Sequence, residues 1–446
     1  MTAGQAPPFT YEGYELDPAH HRLRCSYRMG DERFVEAVTF DPGGDWGSPA
    51  AEAAARLVFL LAGVSYYKTA APEVVDLGDE ALTESERALL GALYRRGLAE
   101  FAHRNGLDLS GLRIEGPGRD DAGRPDGGGA GPPLVPFGGG IDSVVTAEAV
   151  RAGDDRAALF VVSPAQGRFA AIEAAAAVTG LPVRRAERHL DDKLTGPSSR
   201  RYLHGHVPVT GVISAIAVLA AVLDGRGAVV MSNERSASVA NLVVGEAGVN
   251  HQWSKGAEFE AAFAEVVAGT VGPSPRYYSF LRPYSELWVA RRFAELDRYH
   301  RVFRSCNRAF ALDPARRADR WCGRCDKCCF IDLVLAPFMA PGDLAAVFDG
   351  AEPLDDPTLT GTFETLVGLS GEAKPFECVG DLDECRAALV LAARRPDRAA
   401  SAGVQGLVAR LASAAAVPAD ADLEAMFAAS APHPMPDDDA AQDLLV

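Results

Sequence analysis

The stretch Pro136-Phe137-Gly138-Gly139-Gly140-Ile141-Asp142-Ser143 decides how the rest of the chain is read. Its apolar lead, Leu134 to Phe137, predicts a short buried strand, and Asp142 and Ser143 open an apolar, alanine-rich helical stretch through Val150. Strand, glycine loop and helix start in that order make a phosphate site. Glycines let the backbone approach an anion, and the first helical N–H groups point at it, helped by the positive end of the helix dipole. Successive N–H groups in such a loop form a concave anion nest. A bare glycine triplet is also met in a plain strand-to-helix turn; it is Asp142-Ser143 directly after it that favours the phosphate. No lysine follows the glycines, so this is not a Walker A loop, and amides and a hydroxyl must do the holding.

Gly139-Gly140-Ile141-Asp142-Ser143 resembles the S-G-G-x-D-S signature of the PP-loop ATP pyrophosphatases, with Gly138 where that family usually has serine. The resemblance implies cleavage of ATP to AMP and pyrophosphate, with the AMP placed on a substrate oxygen.

Outward from the loop the pattern alternates. Residues 157–162 predict a second parallel strand ending at Ser163-Pro164, 168–179 a helix closed by Gly180, 209–223 a buried helix, and 228–231 a third strand. This specifies an α/β fold: a doubly wound parallel sheet with its ligand at the carboxyl ends of the strands. By that rule Gly138 to Ser143, Ser163 and Ser232 to Arg235 converge on one crevice.

Residues 1–115 read as an α+β module, with strands near 9–14, 22–27 and 34–40 and helices over 50–64 and 83–103. The second helix is capped by Thr83-Glu84-Ser85-Glu86. Residues 116–133, rich in glycine, proline and charge, read as a linker. The nucleotide-binding catalytic domain is placed at 134–338, a helical region at 339–430, and an acidic tail with Asp437-Asp438-Asp439 at 431–446.

Composition narrows the partners. A net charge of −17 opposes a broad nucleic-acid or anionic-membrane surface. The longest apolar stretch, 212–223, is shorter than the ~20 residues a membrane helix needs, and the first ten residues lack a signal peptide's pattern, so a cytoplasmic address is expected. Eight cysteines, five of them between Cys306 and Cys329, do not make a secreted disulfide framework and point to metal or chemistry.

Three further clusters carry titratable or ligating groups. Ser232 to Ser238 and Asn250 to Lys255 contribute Glu234, Arg235, Asn250, His251 and Lys255 at and beyond a strand end, where polar loops are disproportionately functional. Taken singly, His251 also suits a hydrogen-bonded structural role. Between Arg291 and Arg324, in a segment that reads as helical, stand ten arginines, no lysine and four acidic residues, a cationic patch suited to phosphate or carboxylate, or else solvated helix faces and internal ion pairs. Within it Cys322, Cys325 and Cys328 are set at two-residue gaps, which lets thiolates turn onto one ion, and Cys306 can complete a tetrahedron. The spacing resembles the zinc site of 7-cyano-7-deazaguanine synthases, themselves PP-loop enzymes, and implies a structural Zn2+. Reduced, half-buried thiols near the nucleotide are the plain alternative.

Taken together, Gly138 to Ser143, Ser232 to Ala237, Val249 to Gln252, Lys255, the cysteine run and Lys374-Pro375-Phe376-Glu377-Cys378 resemble the bacterial UDP-N-acetylmuramoyl-L-alanyl-L-glutamate epimerase family. That resemblance implies ATP- and Mg2+-dependent inversion of the terminal L-glutamate of a UDP-muramoyl dipeptide, a small-molecule substrate of peptidoglycan synthesis. It implies that Gly138, Gly139, Gly140 and Ser143 hold the ATP phosphates beside Ser163, with Asp142 orienting the loop or the magnesium. Glu234, His251 and Lys255 become candidates for proton transfer, and Arg235 and Asn250 for the glutamyl carboxylates or the developing enolate. The cysteines of 306–329 are open to either metal or base. The main rival is a deazaguanine-synthase-like enzyme that adenylates a carboxylate and captures it with ammonia; a non-catalytic nucleotide sensor is the third reading. Oligomeric state is not legible.

Overall fold

The structure is a computed structural model describing residues 6–120, 131–244, 247–311 and 313–430. The expected linker's residues 121–130 and the acidic tail lie outside the described residues. Strands run in chain order as β1 (Phe9–Asp17), β2 (Arg22–Met29), β3 (Glu32–Phe40), β4 (Val74–Asp76), β5 (Arg113–Glu115), β6 (Pro133–Pro136), β7 (Ala158–Pro164), β8 (Val183–His189), β9 (Ala228–Met231), β10 (Leu242–Val244), β11 (Ala247–Val249) and β12 (Arg276–Ser279). Ten of them form one sheet in the order β12-β9-β6-β7-β8-β3-β2-β1-β4-β5, while β10 and β11 pair separately.

From β12 through β8 every pair is parallel. The order runs outward from β6 in both directions, so the winding reverses beside the glycine loop. Beyond β8 the pairing turns antiparallel through β3, β2 and β1, and β4 and β5 close the far edge in parallel. The molecule is thus α/β with a large, mostly parallel central sheet.

Burial on both faces explains why its strands read as unbroken apolar runs. Leu134, Ala158, Phe160 and Val229 face one core, shared with helices Pro49–Ala62, Val209–Leu223 and Ala257–Thr270. Val135, Leu159, Val161 and Val230 face the other, shared with helices Ile141–Gly153, Glu286–Ala294, Asp326–Leu335 and Leu382–Ala393. Alternate residues of a strand point to opposite faces, and each face here has its own helical layer.

The strands expected near 134–137, 157–162 and 228–231 are β6, β7 and β9, and helix Val209–Leu223 spans the residues expected of it. Two parallel strands carry no plain apolar pattern. In β8, Val-Arg-Arg-Ala-Glu-Arg-His, the arginines find distant partners: Arg185 pairs with Glu173 at 2.6 Å, Arg184 with Asp224 at 2.9 Å and Arg188 with buried Glu36 at 2.7 Å. In β12 a four-residue strand heads an arginine-rich segment expected to be helical. That expectation is corrected: helix Glu286–Ala294 ends early, and the described residues from its end to 325 are loop with short 3-10 turns at Asp297–Tyr299 and Pro314–Arg316.

The helix expected over 83–103 is two, Glu84–Arg95 and Ala99–Asn105. Thr83 and Glu86 form a reciprocal capping box at the start of the first. The break falls at Gly97, where a Cβ would lie 2.4 Å from the Leu93 carbonyl and 2.8 Å from Pro208, so the helices are joined through a spot that has no room for a side chain.

Among the described residues one helical run, Pro49–Tyr67, is long and apolar enough to cross a membrane, and 78% of its apolar window is buried inside the molecule. It packs under β1 and β2, where the Tyr11 and Tyr27 hydroxyls donate to the Leu60 and Phe59 carbonyls at 2.7 Å.

Candidate active site

At the end of β6 the glycines divide the work. Gly139 has φ +75°, and a Cβ there would stand 3.2 Å from the Ile172 backbone, so conformation and space both demand glycine. Gly140 is the N-cap of helix Ile141–Gly153, and its missing Cβ leaves room for Ser305 Oγ at 2.9 Å. Gly138 borders open space. Ser143 turns its hydroxyl back to the Gly140 carbonyl at 3.1 Å.

The first turn of that helix carries Asp142 to two other carboxylates. Glu234 arrives from the loop after β9, and Glu286 from the first turn of helix Glu286–Ala294, where Ser285 caps the helix by accepting from Trp288 N at 3.0 Å. Oxygens of the three lie within 4.8 Å of one another. Asp142 Oδ1 and Glu286 Oε1 are buried without a hydrogen-bond partner. Burial, and then the Glu234 charge, push the Asp142 carboxyl up to about 7 against the opposing pull of Lys327 and Lys255. Burial and the Asp142 charge raise Glu286 well above the usual carboxylate range. Converging acidic oxygens with unused lone pairs fit a hard, oxygen-seeking divalent cation such as magnesium.

Beside the carboxylates lies a cationic cluster built around a sulfur. Lys255 Nζ is 3.2 Å from Cys378 Sγ, and Lys327 Nζ donates to the Cys378 carbonyl. His251 is hydrogen-bonded to Cys378 on one side and through Nδ1 to buried Glu100 on the other. The His206 ring lies 4.0 Å from the His251 ring, centroid to centroid. Burial pushes the Cys378 thiol up, but Lys255, His251 and Lys327 outweigh it and bring it down to about 6. Burial pulls the His251 imidazole down, yet its hydrogen bonds to Cys378 and Glu100 raise it to about 9. Burial and the neighbouring His251 charge push His206 down to about 3. Lys255 is pulled down by burial and raised on balance by Cys378, Glu234 and Asp142, so one ammonium is felt by both clusters.

Other expected residues lie around this centre with different attachments. Arg235 sits half-buried in the turn after Glu234, its N–H donating to the Tyr284 carbonyl at 2.9 Å. Asn250 donates from Nδ2 to the Ala237 carbonyl at 3.0 Å and accepts from Gln252 N at 2.7 Å, tying the two polar loops together. Ser163 stands at the end of β7, the strand that neighbours β6. It lines a cavity of about 170 Å3 with Thr39, Asp41, Arg168 and Arg185. The winding reverses between β6 and β9, so the crevice opens there.

The thiols of Cys306, Cys322, Cys325 and Cys328 lie within 4.8 Å of one another, with Sγ–Sγ separations of 3.6 Å for Cys322–Cys328 and 3.4 Å for Cys325–Cys328. A zinc tetrahedron with ~2.3 Å bonds has edges of about 3.8 Å. The set therefore fits one zinc ion. Cys329 turns into the apolar core instead. Several arginines of 291–324 are engaged within the chain: Arg298 pairs with Glu148, Arg292 with Glu295, and Arg304 donates to the Phe303 carbonyl.

Glu286, Lys327, Cys378 and Glu100 join the site without having been singled out for it. Lys327 stands inside the cysteine run and Cys378 ends the unusual segment 374–378, both visible signals; Glu286 and Glu100 read as ordinary helix carboxylates.

Residues 1–280 match the family model of the MurL N-terminal domain and residues 302–422 that of the MurL C-terminal domain. The chain is 42% identical over 404 residues to the UDP-N-acetyl-alpha-D-muramoyl-L-alanyl-L-glutamate epimerase of Xanthomonas oryzae pv. oryzae, covering 90% of this chain and 88% of that one. It is 40% identical over 400 residues to the protein of the same name from Salinispora tropica, covering 86% and 84%. A Micromonospora relative, again of that name, is 40% identical over 397 residues, covering 87% of each.

Proposed function

The chain belongs to the MurL epimerase family, and on that premise we propose that it inverts the terminal L-glutamate of UDP-N-acetylmuramoyl-L-alanyl-L-glutamate, consuming ATP in a PP-loop site. The observation that carries the reading is the meeting of a glycine-loop helix start with Asp142, Glu234 and Glu286 on one side and a half-buried cationic group, Lys255, on the other.

The chemistry requires activation. A Cα–H beside an ionised carboxylate is a very poor acid, because its loss places two negative charges together. Attaching AMP to that carboxylate removes one charge and makes the carbonyl an electron sink, so a modest base suffices; return of a proton from the opposite face inverts the centre. Hydrolysis of the mixed anhydride then releases product and AMP. Gly138, Gly139 and Gly140 bring backbone close to the triphosphate at the helix start. Asp142, Glu234 and Glu286 would hold magnesium, which when bound supplies positive charge to the phosphates. Lys255 faces the developing negative charge, and His251 lies within reach of proton transfer. Arg235 and the exposed arginines of 291–324 receive the substrate's carboxylate and diphosphate. Cys306, Cys322, Cys325 and Cys328 hold a structural zinc, and the reaction is placed in the cytoplasm, where ATP and nucleotide-linked precursors are present.

The test is an incubation of protein, ATP, magnesium and the L-glutamyl precursor in deuterated water. The expected product carries D-glutamate with deuterium at Cα, formed together with AMP and pyrophosphate. Unchanged configuration sinks the epimerase reading, and inversion without AMP sinks the adenylation. Pyrophosphate release that needs ammonia and a heteroaromatic acid would favour the amidating rival.

A further inference from the structure

Cys378 is held with more care than a filler residue requires, and the scheme above gives it no task. The loop that carries it is pinned from several sides: Lys327 holds its carbonyl, Asn241 Nδ2 donates to the Pro375 carbonyl at 3.0 Å, and Asn307 Nδ2 donates to Glu377 at 3.0 Å. The sulfur itself is half-buried and meets Lys255 Nζ and His251, and His251 is backed by Glu100. The same Lys255 feels the charges of Asp142 and Glu234, so the sulfur borders the space where an activated carboxyl would sit. Glu286 Oε1, with the residue only 3% exposed, makes no hydrogen bond in the adjoining carboxylate cluster and so keeps an acceptor for a ligand there.

We propose that the Cys378 sulfur is the base that removes the Cα proton of the activated glutamyl residue, with Lys255 and the Glu100–His251 pair keeping it anionic. This rests on the epimerase reading and deepens it. In the step, the Cα–H bond breaks and an S–H bond forms. The carbon's electron pair moves onto the acyl carbonyl oxygen to give the enolate. The thiol proton passes to water; a solvent proton then adds to the opposite face of Cα as the carbonyl reforms.

The charged groups facing the sulfur are Lys255 and His251 from the loop after β11, Lys327 from helix Asp326–Leu335, and the acidic Asp142 and Glu377. The three cations prevail, and the thiol is lowered to about 6. A lowered value means that the thiolate is present above about pH 6 and lost as pH falls through it, whereas an ordinary cysteine is a thiolate only above about 8.5.

The experiment uses full-length wild type, Cys378→Ser and Cys378→Ala. Each is assayed for ATP–pyrophosphate exchange with the L-glutamyl precursor and for deuterium entry at Cα. The variants are expected to retain pyrophosphate exchange and to lose Cα deuteration by about 100-fold or more, the range for removing a positioned base. Deuteration within about threefold of wild type in Cys378→Ser overturns the proposal while leaving the epimerase reading intact. A wild type that does not deuterate Cα sinks that reading, and this one with it. Should the variants fail to fold, iodoacetamide labelling of wild type decides: half-maximal labelling of Cys378 near pH 6 supports the proposal, and an ordinary thiol's profile overturns it. A glutamyl thioester on Cys378, seen by mass after acid quench, assigns the sulfur as nucleophile and also overturns it.

Discussion

Glu100 shows how a single buried carboxylate reaches a reacting atom it does not touch. It holds His251 as the cation, and that cation helps to hold Cys378 as the anion. Glu100→Gln keeps the shape but removes the charge, so His251 loses its proton at lower pH and the thiol's range moves up. The expected result is an acid limb of Cys378 labelling displaced upward, with Cα deuteration at pH 7 reduced about twofold for the first unit of displacement and more steeply beyond it. A Glu100 that merely braces its helix would leave that limb where it is. Gly139 makes a different residue-scale case. Its φ of +75° and the 3.2 Å approach to Ile172 predict that Gly139→Ala costs about 1–3 kcal/mol and weakens ATP binding, as thermal melting with and without nucleotide would reveal.

At the scale of elements, β8 is anchored through its charges. Arg188 and Glu36 are both nearly buried and meet at 2.7 Å, whereas the Arg184–Asp224 pair is open to water. Removing one partner of a buried pair strands the other, so Arg188→Ala is expected to cost about 3–5 kcal/mol, against about 1 or less for Arg184→Ala. Urea unfolding of the two variants side by side checks this, and equal losses would refute it. The segment carrying Cys306 to Cys328 is expected to depend instead on a shared metal. One zinc per chain is expected on elemental analysis of the purified protein. Cys322→Ser should lose that metal and melt at lower temperature even without substrate, since binding free energy of a structural site is folding free energy. Full retention of stability in a metal-free variant would leave the four thiols as mere neighbours.

For the whole molecule the decisive feature is one sheet running from β12 to β5. β3 pairs with β8, and helix Pro49–Ala62 packs against helix Val209–Leu223, so the first 115 residues cover apolar surface of the part that carries the glycine loop. A fragment beginning at residue 131 should therefore be insoluble or lack cooperative unfolding, since it exposes one face of a two-faced sheet. A soluble fragment with native near-ultraviolet circular dichroism would contradict this. Glu100 enters the site from that same N-terminal part, which adds the expectation that the fragment, even if rescued, leaves Cys378 labelling shifted toward ordinary thiols.

Local patterns determined a good deal: the strand–glycine–helix at 134–150, the buried helix over 209–223, the capping box at Thr83, and the cysteine spacing are each set by neighbours within a few turns of chain. Tertiary structure alone decided the rest. β8 hides behind arginines whose partners lie up to 152 residues away. Glu286 looks like any first-turn carboxylate until the sheet's reversal sets it against Asp142 and Glu234. Cys378 becomes acidic only because three cations from two distant segments are folded around it. Periodicity and spacing record short-range preferences, whereas electrostatic fields at a buried point are sums over groups that only the folded chain brings together.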